Sequence, residues 1–267
     1  MKHFVLTRFN IASPGRETPI RNSPGWLERR FELFESYCLP SMSAQDCSDY
    51  HWLIYFDEHT PRQFVERIDA ARQIASFEPI FVGSFIAQRA RDDIAARMDP
   101  EEERLLTTRL DNDDAVSRDF LSRLRNHANA VPDGTIMNFP VGIALRNGKL
   151  YTARDESNPF TSLVELTAEA RTIWAAPHTE LMATFPIVQI EAPPAWLQVV
   201  HGENVTNRIK GHRIRDQQVM ARFALGQGVY LAPTTMPEVM VDMLWLFPLR
   251  RIREQIIRWA KFALRRQ

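Results

Sequence analysis

The chain has 267 residues, 45% hydrophobic and 25% charged, and its 33 basic and 33 acidic side chains cancel. That length fits one large domain, or one domain with an appendage, and is ample for a buried core. The composition excludes a fibrous or wholly disordered chain, and zero net charge argues against a nucleic-acid binder, whose phosphate contacts need a basic surplus. Cys38 and Cys47 are too few for a disulfide scaffold and are not spaced as CxxC, so both are expected as reduced thiols. The apolar stretch after Met1 is too short for a signal peptide, and no window is apolar over the roughly 18 residues of a membrane span. A soluble cytoplasmic protein is expected.

Residues 3–9 are apolar, β-branched or aromatic and predict a buried strand at the start of the chain. A loop with proline and glycine follows over 12–25, then a helix from Trp26 that ends before Pro40. Residues 52–56 predict a second strand, stopped by Asp57-Glu58-His59-Thr60-Pro61, with Thr60 capping a helix that starts at Pro61. Residues 79–82 and 105–110 predict a third and fourth strand, the latter closed by Asp111-Asn112-Asp113-Asp114, with Ser117 capping a helix over 118–126. Strands alternating with helices predict an α/β fold, a mostly parallel sheet flanked by helices, whose ligand lies beyond the strands' carboxyl ends. Asp57 and the acidic run both fall there. After residue 135 the expected strands are short (136–139, 150–152, 172–175 and 196–200), with a turn at Arg146-Asn147-Gly148, and this half reads as more antiparallel, covering the ligand edge.

The C-terminus predicts an amphipathic helix, with Pro248 in its first turn. Leu249, Ile252, Ile256, Ile257, Trp259, Ala260, Ala263 and Leu264 share one face. Arg250, Arg251, Arg258, Lys261, Arg265 and Arg266 share the other, with Arg253 and Phe262 as exceptions. Seven basic residues against Glu254 make this a helix suited to an anionic membrane surface, the alternative being that its apolar face packs on the domain or on a second subunit. The chain therefore divides into a main domain over 1–238 and a basic helical segment over 239–267.

No GxGxxG, P-loop, HExxH or GxSxG motif is present. The acidic run carries the chemistry instead. Three carboxylates in four residues repel one another, and a cation removes that penalty; an all-oxygen set favours Mg²⁺ or Mn²⁺. The alternative is an acidic turn that caps the next helix.

Leu110-Asp111-Asn112-Asp113-Asp114, preceded by Thr107-Thr108-Arg109, resembles the DxD element of GT-A glycosyltransferases. Residues 105–115, 158–165 and the distinctive Trp196-Leu-Gln-Val-Val-His-Gly-Glu-Asn204 are similar to a bacterial rhamnosyltransferase family, over nearly the whole chain up to about Arg215. The resemblance implies a GT-A-like, Rossmann-like fold and a nucleotide-sugar transferase using a divalent metal, Mn²⁺ or Mg²⁺. It implies that Asp57 meets the nucleobase and Asp111 the ribose or donor sugar. It implies a metal held by Asp113, with Asp114 the alternate and His201 completing the site. Arg8 and Arg109 stand beside them as nucleotide contacts, an ion pair being the alternative for Arg8. The family's Glu-Asp pair is not evident, which leaves Asp155, Glu156 and Glu165 as candidates for the catalytic base. The basic residues around Gly211, from Arg208 to Arg215, would close over a diphosphate or form a solvated loop. The expected acceptor is a saccharide or a lipid-linked sugar, in bacterial surface polysaccharide synthesis at the inner face of the cytoplasmic membrane.

Two other classes compete. Asp57-Glu58-His59-Thr60 approaches the DxDxT signature of haloacid-dehalogenase phosphohydrolases, but His59 stands where the second aspartate is needed. A non-catalytic membrane-associated scaffold is favoured only by the basic C-terminus.

Overall fold

The first strand of the chain lies inside the sheet. β1 (Lys2–Arg8) buries Phe4, Val5 and Leu6 completely, as a strand covered on both faces must. The computed structural model describes residues 1–12, 17–84, 87–176, 178–202 and 208–264. After α1 (Glu17–Arg21) comes α2 (Trp26–Leu33), which passes through a π-helical turn, Phe34–Cys38, into α3 (Leu39–Ser43). The expected stop before Pro40 does not occur. Proline has no N–H for the carbonyl four residues back, and its ring crowds that carbonyl. Here the Leu39 N–H reaches back five residues to the Phe34 carbonyl, and the Ser36 carbonyl left by Pro40 accepts from the Gly226 N–H at 2.8 Å.

β2 (His51–Asp57), α4 (Arg62–Ala71), β3 (Glu78–Val82), α5 (Ala87–Ala95) and β4 (Arg104–Arg109) then complete the alternating half. α4 starts one residue later than expected, because the Thr60 hydroxyl donates to the Asp57 carbonyl instead of capping the helix. β5 (Ala115–Val116) precedes α6 (Phe120–Ala128), where Asp119 takes the cap position and Ser117 donates to its carboxylate.

The second half comprises β6 (Thr135–Asn138), β7 (Val141–Arg146), β8 (Lys149–Arg154), β9 (Ser162–Leu166), α7 (His178–Thr184), β10 (Ile187–Gln189) and β11 (Trp196–Val199). β7 and β8 form a two-residue hairpin whose central Asn147 and Gly148 both have positive φ (50° and 73°), the requirement of a type I′ turn. Residues 172–175 are not a strand: Thr172 has φ 68°, and the N–H groups of Arg171 and Thr172 turn onto the Glu165 carboxylate. The chain ends in α8 (Met236–Val241), a second π-helical turn (Asp242–Leu246) and α9 (Phe247–Leu264). The π turn before Pro248 repeats the device at Pro40, with the Phe247 N–H donating to the Asp242 carbonyl.

The main sheet has seven strands in the order β10-β6-β9-β4-β1-β2-β3, and the second has four in the order β5-β11-β7-β8. β1 is parallel to β2 and β4, and β2 to β3; β9 alone runs against its neighbours β4 and β6. The carboxyl ends of β1, β2, β4 and β6 therefore share one edge. One buried cluster fills each face of the main sheet, with Val5, Ile54 and Leu106 on one side and Leu6, Tyr55 and Leu105 on the other.

His3 ties three strands together. Its Nε2 lies 2.8 Å from Thr108 Oγ1, which lies 2.8 Å from Ser162 Oγ. Burial, with a smaller contribution from Arg125, lowers its pKa to about 3. Between pH ~6.5 and ~3 the unfolded chain takes up a proton that the folded chain refuses. This group therefore removes stability as pH falls through that window, by up to about 1.4 kcal/mol per pH unit. Urea unfolding of His3→Gln across this range is expected to show a shallower pH slope than wild type, and equal slopes would contradict the assignment.

Candidate functional site

Parallel pairing brings Arg8, Asp57 and Arg109 to adjacent strand ends, and the acidic run leaves β4 at that edge. The Leu110 N–H still pairs with Leu6, and the Asn112 amide donates to the carbonyls of Arg8 (3.0 Å) and Phe9 (2.9 Å). These bonds pin the run to the exit of β1. Its three carboxylates point in different directions. Asp111 pairs with Arg109 at 3.1 Å. Asp113 Oδ2 accepts from Arg30 Nη1 of α2 at 2.8 Å and from His201 Nε2, just after β11, at 2.9 Å. Asp114 turns inward, fully buried, where its Oδ1 accepts from the Val199 N–H at 2.8 Å.

Burial pushes the Asp113 pKa up, but the His201 hydrogen bond and the charges of Arg30 and His201 outweigh it and hold the carboxyl below its usual value. At Asp114 the Val199 N–H and the charge of Arg30 act in the same sense but do not prevail. Burial, then the charges of Asp113 and Asp111, push it well above the carboxylate range. One carboxyl is thus favoured as an anion at the edge, and its neighbour, whose charge is disfavoured, braces β11 beneath it.

For a divalent cation, Asp113 and His201 present one carboxylate and one imidazole from different elements at a single point, a fit for a hard metal whose other positions are taken by a ligand's oxygens. Asp114 faces β11 and does not join them. Among the described residues no cluster of three His, Cys, Asp or Glu side chains stands ready as a metal cage.

Asp57 sits beside this group. Its carboxylate pairs with the Arg21 guanidinium and accepts from the His59 N–H at 2.8 Å, and its own N–H donates to Asn10 Oδ1 at 2.9 Å. The position two residues on, where the DxDxT signature has its second aspartate, is His59, and its side chain is exposed.

The candidate bases separate. Asp155 follows β8, and its carbonyl accepts from Asn138 and Asn158 at the ligand edge. Its carboxylate receives Lys210 Nζ at 2.6 Å and both the N–H and hydroxyl of Ser157. Burial raises its pKa, yet these donors more than offset that and leave it lowered. Glu156 is exposed, 3.7 Å from Arg154. Glu165 is carried away: β9 is antiparallel and pairs Glu165 with Leu105, at the start of β4, while Ser162 pairs with Thr108 near its end. Both Glu165 oxygens accept backbone N–H groups, and burial raises its pKa. The structure does not bring it to the edge.

The basic residues around Gly211 run beside β8 and do not cross the acidic run. Lys210 holds Asp155, Arg213 is buried against Glu238, and Arg208 lies 3.7 Å from Glu254. Glu203 and Asn204 lie outside the described residues. A cavity of about 990 Å³ opens between β8 and α9, lined by Thr152, Asp155, Lys210, Phe247, Arg251 and Ile257 among others. Arg21 and Arg30 carry no sequence signal, since charged residues on short helices are ordinarily solvated. Only the fold places them against acids 36 and 83 residues away.

The model of a family described as "Putative rhamnosyl transferase" matches residues 2–213. Among curated proteins none matches the chain. Among solved structures, residues 1–349 of S. aureus TarS in complex with UDP are 12% identical with a TM-score of 0.46, over 75% of this chain and 61% of that one. A Desulfovibrio desulfuricans protein described as a "putative nucleotide-diphospho-sugar transferase" is 11% identical with a TM-score of 0.38, over 74% of this chain and 82% of that one. A 4-diphosphocytidyl-2C-methyl-D-erythritol synthase is 12% identical with a TM-score of 0.40, over 81% and 94%. The chain thus spans about three fifths of the TarS fragment's length.

Arg30 is the protein's own counter-charge to Asp113, and both side chains are largely shielded from water. Arg30→Met keeps most of the volume and removes one counter-charge from the buried carboxylate while His201 remains, so it should cost about 1–3 kcal/mol in urea unfolding. A variant as stable as wild type would show that the pair contributes nothing.

Proposed function

Because the chain belongs to the family described as "Putative rhamnosyl transferase", we propose that it is a glycosyltransferase moving a sugar, rhamnose being the first to test, from a nucleoside-diphosphate donor to a saccharide or lipid-linked acceptor. The observation that carries this reading is the convergence of Asp113, His201 and Arg30 beside Asp57 at the strand ends. The nucleobase lies against Asp57, and the ribose or donor sugar against Asp111, with Arg8 and Arg109 alongside. Asp113 and His201 would hold the Mn²⁺ or Mg²⁺, which supplies Lewis acidity to the diphosphate leaving group. Arg30 keeps Asp113 ionised and oriented. Asp155 is the base: it takes the proton from the acceptor hydroxyl as that oxygen attacks the sugar carbon, and Lys210 and Ser157 hold it ionised and in place. The enzyme serves surface polysaccharide synthesis, at the inner face of the cytoplasmic membrane.

Two measurements test this reading. A nucleoside diphosphate (UDP, GDP or dTDP) with Mn²⁺ should raise the melting temperature of wild type, by the equivalent of about 2.7 kcal/mol at a hundredfold excess over Kd. Asp113→Asn should lose that response while remaining folded. An equal shift in the variant, or none for any nucleotide in wild type, would refute the donor site.

Asp155→Asn should lower kcat by about 100-fold or more with donor affinity unchanged, whereas Glu165→Gln should keep its turnover per folded molecule. Since its pKa is lowered, Asp155 stays ionised in acid, so the acidic limb of kcat/KM should fall below the ordinary carboxylate pKa. Full turnover by Asp155→Asn would remove it from the role.

A further inference from the structure

α9 is mounted with its polar side towards the domain. Asp242, itself buried, accepts from the Arg213 N–H at 2.7 Å and from the Arg250 guanidinium, also at 2.7 Å. Arg250 also donates to the Gly211 carbonyl, Glu254 faces Arg208, and Phe247 meets the edge of His212. A helix that packs on its own domain buries its apolar stripe. Here the stripe points out. Trp245, Leu249, Ile252, Ile256 and Trp259 recur every three or four residues and are 53–76% exposed, and Leu244 extends the patch onto the preceding turn.

We infer that this outward face of the π turn and α9 is a docking surface for an anionic lipid bilayer. Charge selects the occupant. Arg253 is exposed beside the stripe, Arg251 lines the cavity on the inner side over the Phe247 ring, and Glu254, the one acidic residue among 249–267, is turned inward to Arg208. Self-pairing along the stripe would set arginine against arginine with no acid to answer it. Lipid phosphates answer it directly. Two tryptophans about 21 Å apart along the helix suit the headgroup layer, where indole rings are favoured. No described helix is long and apolar enough to cross a bilayer, so α9 lies in the interface plane.

The placement matters to the enzyme. α9 also walls the cavity that contains Asp155, so about one helix diameter, roughly 10 Å, would separate a bilayer on its outer face from that cavity. That consequence rests on the function proposed above; the docking surface does not.

The test uses the full chain and flotation with phosphatidylcholine vesicles, with or without about one third phosphatidylglycerol. Wild type should float with the anionic vesicles and far less with the neutral ones, and added salt should weaken the partition. Ile252→Asp and Ile256→Asp should each lower the partition about tenfold. Arg253→Glu should weaken the preference for anionic lipid. The nucleotide-dependent melting shift, measured on the same variants, reports donor binding separately from membrane binding. Equal flotation of wild type and the Ile252→Asp/Ile256→Asp variant would overturn the inference. So would a wild type that ignores vesicles and sediments as a dimer that the same substitutions dissociate.

Discussion

The arrangement at the sheet edge depends on holding one carboxylate as an anion in a place that disfavours anions. Asp111, Asp113 and Asp114 leave β4 together, and burial acts against charge on the last two. Arg30 and His201 decide the outcome, because a cation and a hydrogen-bond donor at 2.8 and 2.9 Å favour ionised Asp113 by more than burial opposes it. Asp114, where burial prevails, accepts the Val199 N–H and braces β11 beneath the site. The same contacts fix the folding together: α2, the β4 exit and the β11 exit meet at a single oxygen.

That meeting point constrains the helices. α2 must run on past Pro40 for α3 to pack against β5, and the π turn allows it by passing the hydrogen bond from Leu39 to Phe34. The freed Ser36 carbonyl is then answered by Gly226, where a side chain would come within 3.1 Å of Ser36 Cα. A strand-poor segment late in the chain is thereby tied to the first helix. The same turn before Pro248 lets α8 continue into α9 while Asp242 stays buried as the clasp.

Much of this was legible in the sequence where both faces of an element are buried. β1, β2 and β4 are apolar runs ending in polar residues, so their positions and the edge carrying Asp57 and the acidic run could be read within a residue or so. Residues 172–175 misled, because Thr172 and Trp174 look like strand residues while the Glu165 carboxylate captures the Arg171 and Thr172 N–H groups and the Thr172 hydroxyl captures that of Trp174. Pro40 misled because the compensating partner, Gly226, is nearly two hundred residues away in the chain. At the site, the alternation from β4 to β9 decided what local sequence could not. Asp155 and Glu165 both flank the same polar loop, yet the antiparallel course of β9 carries only Glu165 to the far edge. Arg21 and Arg30 were invisible, since a helical arginine acquires its partner only when the sheet is assembled.

The proposed donor site is the strand-end group around Asp57 and Asp111–Asp113. It is tested by donor hydrolysis by the full chain with Mn²⁺, across a panel of nucleotide sugars in which water takes the sugar in place of the acceptor, followed as release of the nucleoside diphosphate. One donor class should be consumed by wild type, and Asp111→Asn, which loses the contact to ribose or sugar, should consume it at least about a hundredfold more slowly. A wild type that consumes no donor, or an Asp111→Asn variant working at the full rate, would contradict it.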